Sequence, residues 1–278
     1  MATRVRVAVL GVGSLGQQHA RIYAEMHRQE AVELVGVYDT DPAQAKAIAE
    51  KHGTTALGSI EAAAAAADAL SIVTPTVTHH TLAKPLLELG KHLLVEKPMT
   101  DNAAQAAELV SLAKRYDCVL QVGHIERFNP VFNYLQQAAR EPRFIESHRL
   151  SPFPARSMDI GVVLDLMIHD LDIVLAFVRS PVEHVDAAGV RVLSASEDIA
   201  NARLRFSNGC VANLTVSRVS PESLRKIRVF SGGDEPGYVS LDYREQKGYH
   251  YRLARDDEQE SSMLKKIFAR KDSAIVSQ

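Results

Sequence analysis

The stretch VRVAVLGVGSLG at residues 5–16 decides the fold, because an apolar run ends directly in a glycine-rich turn. Its last six residues fit the pattern G-x-G-x-x-G, and a helix-like segment follows. In dinucleotide-binding βαβ units the first glycine permits a tight turn, the second lets backbone amides approach a pyrophosphate, and the third lets helix and strand pack closely. The pyrophosphate lies at the positive N-terminus of the helix. The alternative is a tight strand–helix turn without a ligand. The pattern favours a dinucleotide site, with the cofactor-binding residues Gly11, Gly13, Ser14, Leu15 and Gly16.

Short β-branched runs alternate with helix-like segments over the first 125 residues. The strand-like runs lie at 5–10, 32–38, 69–73, 92–96 and 119–123. The helix-like segments lie at 14–28, 42–53, 60–67, 78–89 and 101–116. This alternation predicts βαβ units and a doubly wound parallel sheet in an α/β domain. The nearly continuous apolar runs are typical of strands that are buried on both faces.

The pattern changes beyond residue 125. Helix-like segments cover 127–140 and 157–178, and extended runs with turn signals follow at 182–193, 200–219, 226–232 and 237–244. The SNG at 207–209 indicates a hairpin. Strands joined by turns predict a mostly antiparallel sheet and therefore a second, α+β domain. We expect domains at 1–125 and 126–278, with an exposed tail from 255.

The second strand-like run ends in VYDTDP, which places Asp39 shortly after the glycine turn. Asp39 lies near the offset of roughly 20 residues expected for the acidic residue that binds the adenine ribose hydroxyls. A carboxylate there repels a 2′-phosphate, and the next basic residue is Lys46. The sequence therefore predicts NAD(H) rather than NADP(H) as the cofactor.

The stretch DLMIHDLD at 165–172 carries four polar residues in an otherwise apolar segment. On an α-helix Asp165, His169 and Asp172 fall within roughly 60° of one another, whereas Asp170 points away. Three interpretations are open: a metal site, a buried structural network, or a general-base assembly. Hydride transfer to NAD needs no metal, so we expect none. Without a metal, two roles are open for Asp172: it fixes the helix, or it contacts the substrate.

The bulk composition excludes several classes of function. The chain has 278 residues, a formal charge of −2 and a pI near 6.6, which argues against binding to nucleic acid or to an anionic membrane. No apolar stretch approaches the roughly 20 residues that span a bilayer. The two cysteines, Cys118 and Cys210, could pair, but a secreted chain of this size usually carries more disulfides. We expect a cytoplasmic protein.

Further motifs follow in a fixed order: GxGxxGxxHA at 11–20, VTPTVTHH at 73–80, GKHLLVEKP at 90–98 and the later DxxxH. With these motifs the chain resembles the glucose–fructose oxidoreductase and myo-inositol dehydrogenase (Gfo/Idh/MocA) family over roughly residues 4–245. The resemblance implies an NAD(P)-dependent oxidoreductase that acts on sugars or cyclitols. It also implies a Rossmann domain, a second domain with an open, mostly antiparallel sheet, and a homo-oligomer (dimer or tetramer) that pairs through that open face.

The resemblance also implies roles for single residues. Thr74, Pro75 and His79 match a segment near the nicotinamide ribose, and Glu96, Lys97 and Pro98 match E-K-P, whose lysine contacts the reacting hydroxyl and the nicotinamide side. Asp165 and His169 match a pair in which the histidine is the proposed base. Chemistry agrees, because oxidising an alcohol requires a base of near-neutral pKa beside the carbinol. A lone histidine on an apolar face is otherwise most often a satisfied core residue.

The substrate is less well specified. We expect contacts to hydroxyls or phosphates from Arg127, Asn129 and Arg156, with a structural pairing of Arg127 as the equal alternative. GHIERFNP with DIGVVLDLMIHDLDIV is most similar to family members that oxidise the 3-hydroxyl of UDP-N-acetylglucosamine for the diamino sugar of lipid A. The alternatives are another sugar or cyclitol dehydrogenase, a glycosidase that uses NAD as a redox relay, and a non-catalytic dinucleotide-binding regulator.

Overall fold

The structure, a computed structural model, describes residues 4–153, 160–233 and 236–252 and the backbone of 270–272. The chain divides into two compact units, Met1–Gly123 and His124–Gln278. Because each unit has its own core and sheet, the two are described separately.

The first unit is built around a parallel sheet of five strands in the order β2-β1-β3-β4-β5. The strands are β1 (Val5–Leu10), β2 (Val32–Tyr38), β3 (Ala69–Ile72), β4 (His92–Val95) and β5 (Leu120–Val122). The helices are α1 (Gly16–Arg28), α2 (Pro42–His52), α3 (Ile60–Ala66), α4 (Thr76–Glu88) and α5 (Ala103–Arg115). The chain thus alternates between strand and helix as predicted.

Strand β1 shows why these apolar runs lack polar alternation. Val7 and Val9 point into one apolar core, with α1 and α2, whereas Ala8 and Leu10 point into another, with α3, α4 and α5. Neighbouring residues of a strand face opposite sides, and here both sides are covered by helices. The sheet is therefore buried on both faces, as the sequence predicted.

The second unit has a sheet of eight strands in the order β13-β12-β11-β10-β6-β9-β8-β7. Its strands are β6 (Pro142–Leu150), β7 (Val182–Val190), β8 (Ile199–Phe206), β9 (Val211–Ser217), β10 (Leu224–Ser231), β11 (Gly237–Asp242), β12 (Lys247–Arg252) and β13 (Arg270–Asp272). Its helical segments are a 3₁₀ turn (Ile125–Phe128), α6 (Pro130–Ala138), a π-helical turn (Val163–Met167) and α7 (Ile168–Val178). All neighbouring strands are antiparallel except β6 and β9, which run parallel. The predicted fold class is confirmed.

Two details of the second unit differ from the sequence-based expectation. The segment predicted as one long helix contains a π-helical turn before α7. The central strand β6 was not predicted at all, because its core-facing positions include Ser147 and Arg149, which are 2% and 3% exposed. The hairpin between β8 and β9 is confirmed, and Gly209 in its turn has a φ of +82°.

Neither cysteine forms a disulfide. Burial raises the pKa of the Cys210 thiol to about 11 and also raises the pKa of Cys118. Among the described residues, no helix combines the length and the apolar character that a membrane crossing requires.

Candidate functional site

The glycine turn after β1 has the three properties that a pyrophosphate site needs. Gly11 has a φ of +81°, and a methyl group on it would lie 2.7 Å from the Val73 carbonyl oxygen. A methyl group on Gly16 would collide with the Gly11 carbonyl oxygen, so the helix packs directly on the turn. Gly13 differs, because no atom lies within 4 Å of the position of its missing side chain. The backbone at Gly13 is thus open to a ligand.

Helix α1 begins at this turn without a side-chain cap. Leu15 occupies the N-cap position, and its apolar side chain makes no cap hydrogen bond to the first-turn amides. Gly13, Ser14 and Leu15 are exposed. Amides at a helix N-terminus that no side chain caps are suited to bind the oxygens of a phosphate.

Asp39 directly follows β2. One of its carboxylate oxygens accepts a hydrogen bond from the Val12 amide at 2.8 Å, and the other accepts one from the Asp41 amide at 3.0 Å. These two contacts hold the carboxylate against the glycine turn. The residues of this edge therefore fit the adenosine and pyrophosphate part of NAD.

The Thr74–Pro75 segment connects β3 to α4. His79 on α4 is 1% exposed. Its Nε2 lies 2.8 Å from the Thr74 carbonyl oxygen, and its Nδ1 lies 2.9 Å from the Pro98 carbonyl oxygen. His79 thus links the two loops predicted to face the nicotinamide half of the cofactor. A direct contact of its ring with the cofactor stays a prediction.

Glu96 and Lys97 follow β4, at the carboxyl end of the parallel sheet, where ligands of such folds bind. Glu96 is 7% exposed, and its carboxylate accepts the Lys97 backbone N–H at 3.2 Å. Its other oxygen lies 3.1 Å from Nε2 of His19 on α1. The sequence motif contains His19, but sequence reasoning assigned it no role.

In the second unit the D-x-x-x-H pair spans a change of helix type. Asp165 lies in the π-helical turn and His169 in the first turn of α7. Both side chains are half-buried. A π-helical turn inside a helix is rare and is frequent at functional sites.

Asp170, the next residue of α7, belongs to a buried ionic network with strand β6. Its carboxylate accepts hydrogen bonds from Ser147 Oγ and Arg149 Nε, both at 2.7 Å. Arg149 also donates to Glu126 at 3.1 Å. Burial acts to lower the pKa of Arg149, but the two carboxylates outweigh it and raise that pKa. This network fixes α7 against the sheet.

Asp172 pairs with Arg127 of the 3₁₀ turn. The guanidinium donates from Nε and Nη2 to the two carboxylate oxygens at 2.7 and 2.5 Å, and these hydrogen bonds raise the pKa of Arg127. Asp172 therefore fixes the helix, and the structural alternative for Arg127 is realised. Its side chain remains half exposed, so a substrate contact stays a prediction. Asp172 is paired with Arg127, so it is not available as the third ligand of the metal site considered above. In the part of the chain that the structure describes, no group of three or more His, Cys, Asp or Glu side chains could hold a metal ion.

Asn129, predicted to contact the substrate, caps α6. Its side-chain oxygen accepts the Val131 amide at 3.0 Å, and its side-chain nitrogen donates to Glu126 and to the Tyr243 carbonyl, both at 3.3 Å. An Asn-Pro pair at a helix start is a capping signal that the sequence analysis did not use. Arg156 lies outside the described residues.

A second buried ion pair, Asp198 with Arg218, holds the entry to the π-helical turn. Both side chains are fully buried, and their atoms are 2.8 Å apart. Arg218 also donates to the Ile160 carbonyl at 2.8 Å. Burial acts to raise the pKa of Asp198, but hydrogen bonds from Ser194, Arg218 and backbone amides hold it well below its usual range. Sequence reasoning missed this pair, because partners distant in the chain leave no local pattern.

Two family profiles match the chain. The oxidoreductase family with an NAD-binding Rossmann fold (GFO_IDH_MocA) matches residues 5–124, and a GFO/IDH/MocA C-terminal domain matches residues 137–232.

Individual relatives give the same result. UDP-N-acetylglucosamine 3-dehydrogenase from Acidithiobacillus ferrooxidans is 40% identical over 86% of this chain and 74% of that protein. A solved structure of that enzyme, GnnA, has a TM-score of 0.85 at 36% identity, and the match covers 99% of this chain and 84% of the other. Inositol 2-dehydrogenase from Corynebacterium glutamicum strain R is 29% identical over 63% of this chain and 54% of that protein.

Proposed function

The chain belongs to the GFO/IDH/MocA family of NAD-binding oxidoreductases, and we propose that it oxidises the 3-hydroxyl of UDP-N-acetylglucosamine with NAD. The observation that carries this substrate is the 40% identity with UDP-N-acetylglucosamine 3-dehydrogenase, which extends over both units. The product is the 3-keto sugar nucleotide, a substrate for a later amination.

The residues at the carboxyl edge of the first sheet support NAD as the cofactor. The open backbone at Gly13 and the uncapped start of α1 suit a pyrophosphate. Asp39 suits the two ribose hydroxyls and disfavours a 2′-phosphate. NAD, when bound, supplies the acceptor for the hydride that leaves the carbinol carbon.

The protein residues handle the proton and the developing charge. His169 accepts the hydroxyl proton as the C–H hydride departs, and Asp165 orients the imidazole and stabilises its charged form. Lys97 stabilises the developing alkoxide. The buried ion pair of Asp170 and the partly exposed ion pair of Asp172 hold α7 in place, so that His169 needs little reorganisation during the reaction.

A spectrophotometric assay tests the proposal. Purified protein with NAD and a panel of UDP-sugars, free hexoses and inositols should produce NADH, read at 340 nm, with the highest kcat/KM for UDP-N-acetylglucosamine. A higher kcat/KM for an inositol would contradict the proposed substrate and indicate a cyclitol instead. A cyclitol is the second candidate because the chain is similar to inositol 2-dehydrogenase.

The same assay separates the two remaining functions. A redox-relay glycosidase would cleave a glycoside without net NADH, because it returns the hydride to its product. A regulator would bind NAD without turnover, but the chain retains both Lys97 and His169. Net NADH from an intact UDP-sugar contradicts both alternatives.

Assembly and location follow as further proposals. The family resemblance supports a homo-oligomer, and the two free thiols suit a cytoplasmic protein. Light scattering coupled to gel filtration measures the oligomer, and a monomer at micromolar concentration would contradict it.

A further inference from the structure

His19 is a buried histidine next to the glycine turn that the mechanism above does not use. It lies on α1, one turn after the start of the helix at Gly16. Its side chain is 14% exposed. Both ring nitrogens are engaged: Nδ1 lies 2.8 Å from Ser71 Oγ on β3, and Nε2 lies 3.1 Å from Glu96 Oε1.

The hydrogen-bond chain through His19 has one consistent direction for a neutral ring. The Glu96 carboxylate can only accept, so Nε2 carries the proton and Nδ1 accepts from the Ser71 hydroxyl. Ser71 is 1% exposed. The chain of hydrogen bonds therefore runs from Ser71 on β3 through His19 on α1 to the carboxylate after β4.

Glu96 is held on its other sides as well. Its second oxygen accepts the backbone N–H of Lys97 at 3.2 Å. Gly123, directly after β5, leaves the space for the carboxylate, because a methyl group there would lie 2.5 Å from Glu96 Oε1. The carboxylate is thus confined by α1, by the Gly123 backbone and by the Lys97 amide.

We propose that His19 is a positioning residue for Lys97. By fixing the Glu96 carboxylate, His19 fixes the backbone from which the Lys97 side chain starts. It also keeps the carboxylate from turning toward the ammonium group and competing for it. This inference rests on the proposed function only in that Lys97 is the group whose placement limits turnover.

The size of the expected effect follows from the cost of misplacement. A displacement of about 1 Å in a catalytic group can reduce turnover roughly 100-fold. We therefore expect loss of the His19–Glu96 contact to lower kcat roughly 10- to 100-fold. Binding of NAD should change less than about twofold, because His19 contacts neither the Gly13 backbone nor Asp39.

Two substitutions at the same position separate positioning from packing. In His19→Asn the amide replaces Nδ1, so the Ser71 contact is kept and the Glu96 contact is lost. In His19→Gln the longer amide reaches the position of Nε2 and restores a donor to Glu96. His27→Asn is the matched control, because His27 lies on the same helix and its Nδ1 accepts the Leu34 amide away from this cluster.

The measurements are kcat and KM for the sugar nucleotide, the Kd of NADH by fluorescence titration, and Tm. The proposal expects a low kcat in His19→Asn, a kcat within about threefold of wild type in His19→Gln, and no change in His27→Asn. Equal kcat in all proteins would overturn it. So would equal losses in both His19 variants that follow the loss of Tm, because that pattern marks a packing role.

A separate readout covers the case in which the wild type oxidises none of the panel. The proposed function then fails, and the inference is judged by the rate at which an acylating reagent modifies Lys97, measured by peptide mass spectrometry. A rate changed in His19→Asn but not in His19→Gln supports positioning, whereas equal rates in both variants and wild type refute it.

Discussion

Replacing Asp170 by Asn tests the buried ionic network that holds α7 against β6. The side chains of Asp170 and Arg149 are 6% and 3% exposed, and Asp170 accepts hydrogen bonds from both Arg149 and Ser147. Removing the charge leaves the Arg149 guanidinium buried with Glu126 as its remaining close partner. Breaking a buried pair in this way costs about 3–5 kcal/mol. Because Glu126 stays, we expect about 3 kcal/mol.

The chain offers a matched control with the same chemistry at the surface. Asp68 pairs with Arg6 at 2.6 Å, and the two side chains are 41% and 45% exposed. Exposed ion pairs contribute less than about 1 kcal/mol. Asp68→Asn should therefore reduce the free energy of unfolding by less than a third of the loss in Asp170→Asn.

Urea unfolding followed by far-UV circular dichroism measures both variants against wild type. The Asp170→Asn transition should move to lower urea with an unchanged slope, and the difference should persist in 0.5 M salt. A loss of less than about 1 kcal/mol, or one equal to that of Asp68→Asn, would refute the reasoning that burial makes this pair costly to break.

Four further outcomes are expected. Lys97→Ala and His169→Ala should lower kcat at least about 100-fold while the Kd of NADH stays within about twofold, and a wild-type kcat in either variant would refute its role. Asp39→Ser should lower the ratio of kcat/KM for NAD over NADP at least about tenfold, whereas a wild type that prefers NADP would show the assignment of Asp39 to be wrong. Gly13→Ala should weaken NADH binding at least about tenfold but change the unfolding free energy by less than about 0.5 kcal/mol, because its methyl group meets no atom within 4 Å; unchanged binding would argue against a pyrophosphate there. The hydrogen bond from its arginine partner lowers the pKa of Asp68 to about 2 from 3.8, so its stabilisation is present above pH 4 and is lost as the pH falls toward 2. Wild type should therefore lose more stability than Asp68→Asn between pH 5 and 2.5, by less than about 1 kcal/mol because solvent screens the pair, and equal losses in chemical denaturation at the two pH values would contradict the shift.

The first unit was predictable from the sequence because its signals are local. The strands of the parallel sheet are mostly apolar runs, and the buried residues of β1 divide between two cores on opposite faces. The glycine turn was predictable for a similar reason, since steric limits at Gly11 and Gly16 act within a few residues.

The second unit was less predictable because its core contains charges. Strand β6 does not show the apolar alternation of a central strand, since Arg149 faces the core and is neutralised by Asp170 and Glu126. Those partners lie about 20 residues away on either side. A pattern search along the chain cannot find a strand whose burial depends on such distant groups.

Polar residues in the candidate site show the same limit. The sequence placed Asp165, His169 and Asp172 on one stripe of a regular α-helix, but a π-helical turn precedes α7. The sequence also left two equal alternatives open for Arg127, a substrate contact or a structural ion pair. The structural pair became visible only from the hydrogen bond between Arg127 and Asp172. Family motifs identified the residue types, whereas their partners required the fold.

The parallel pairing of β6 with β9 has a consequence for biosynthesis. Strand β6 emerges from the ribosome long before either neighbour, because β7 and β8 precede β9 in the chain and β10 comes later still. Until then the backbone amides and carbonyls on both of its edges are unpaired, so the strand could pair incorrectly with another nascent chain. Strand β6 carries charged side chains, including Glu146 and Arg149, and for that reason the sequence did not predict it. The same charges disfavour pairing of the strand with another nascent chain. Arg149 therefore protects the strand before its neighbours are synthesised, and it anchors α7 once the sheet has formed.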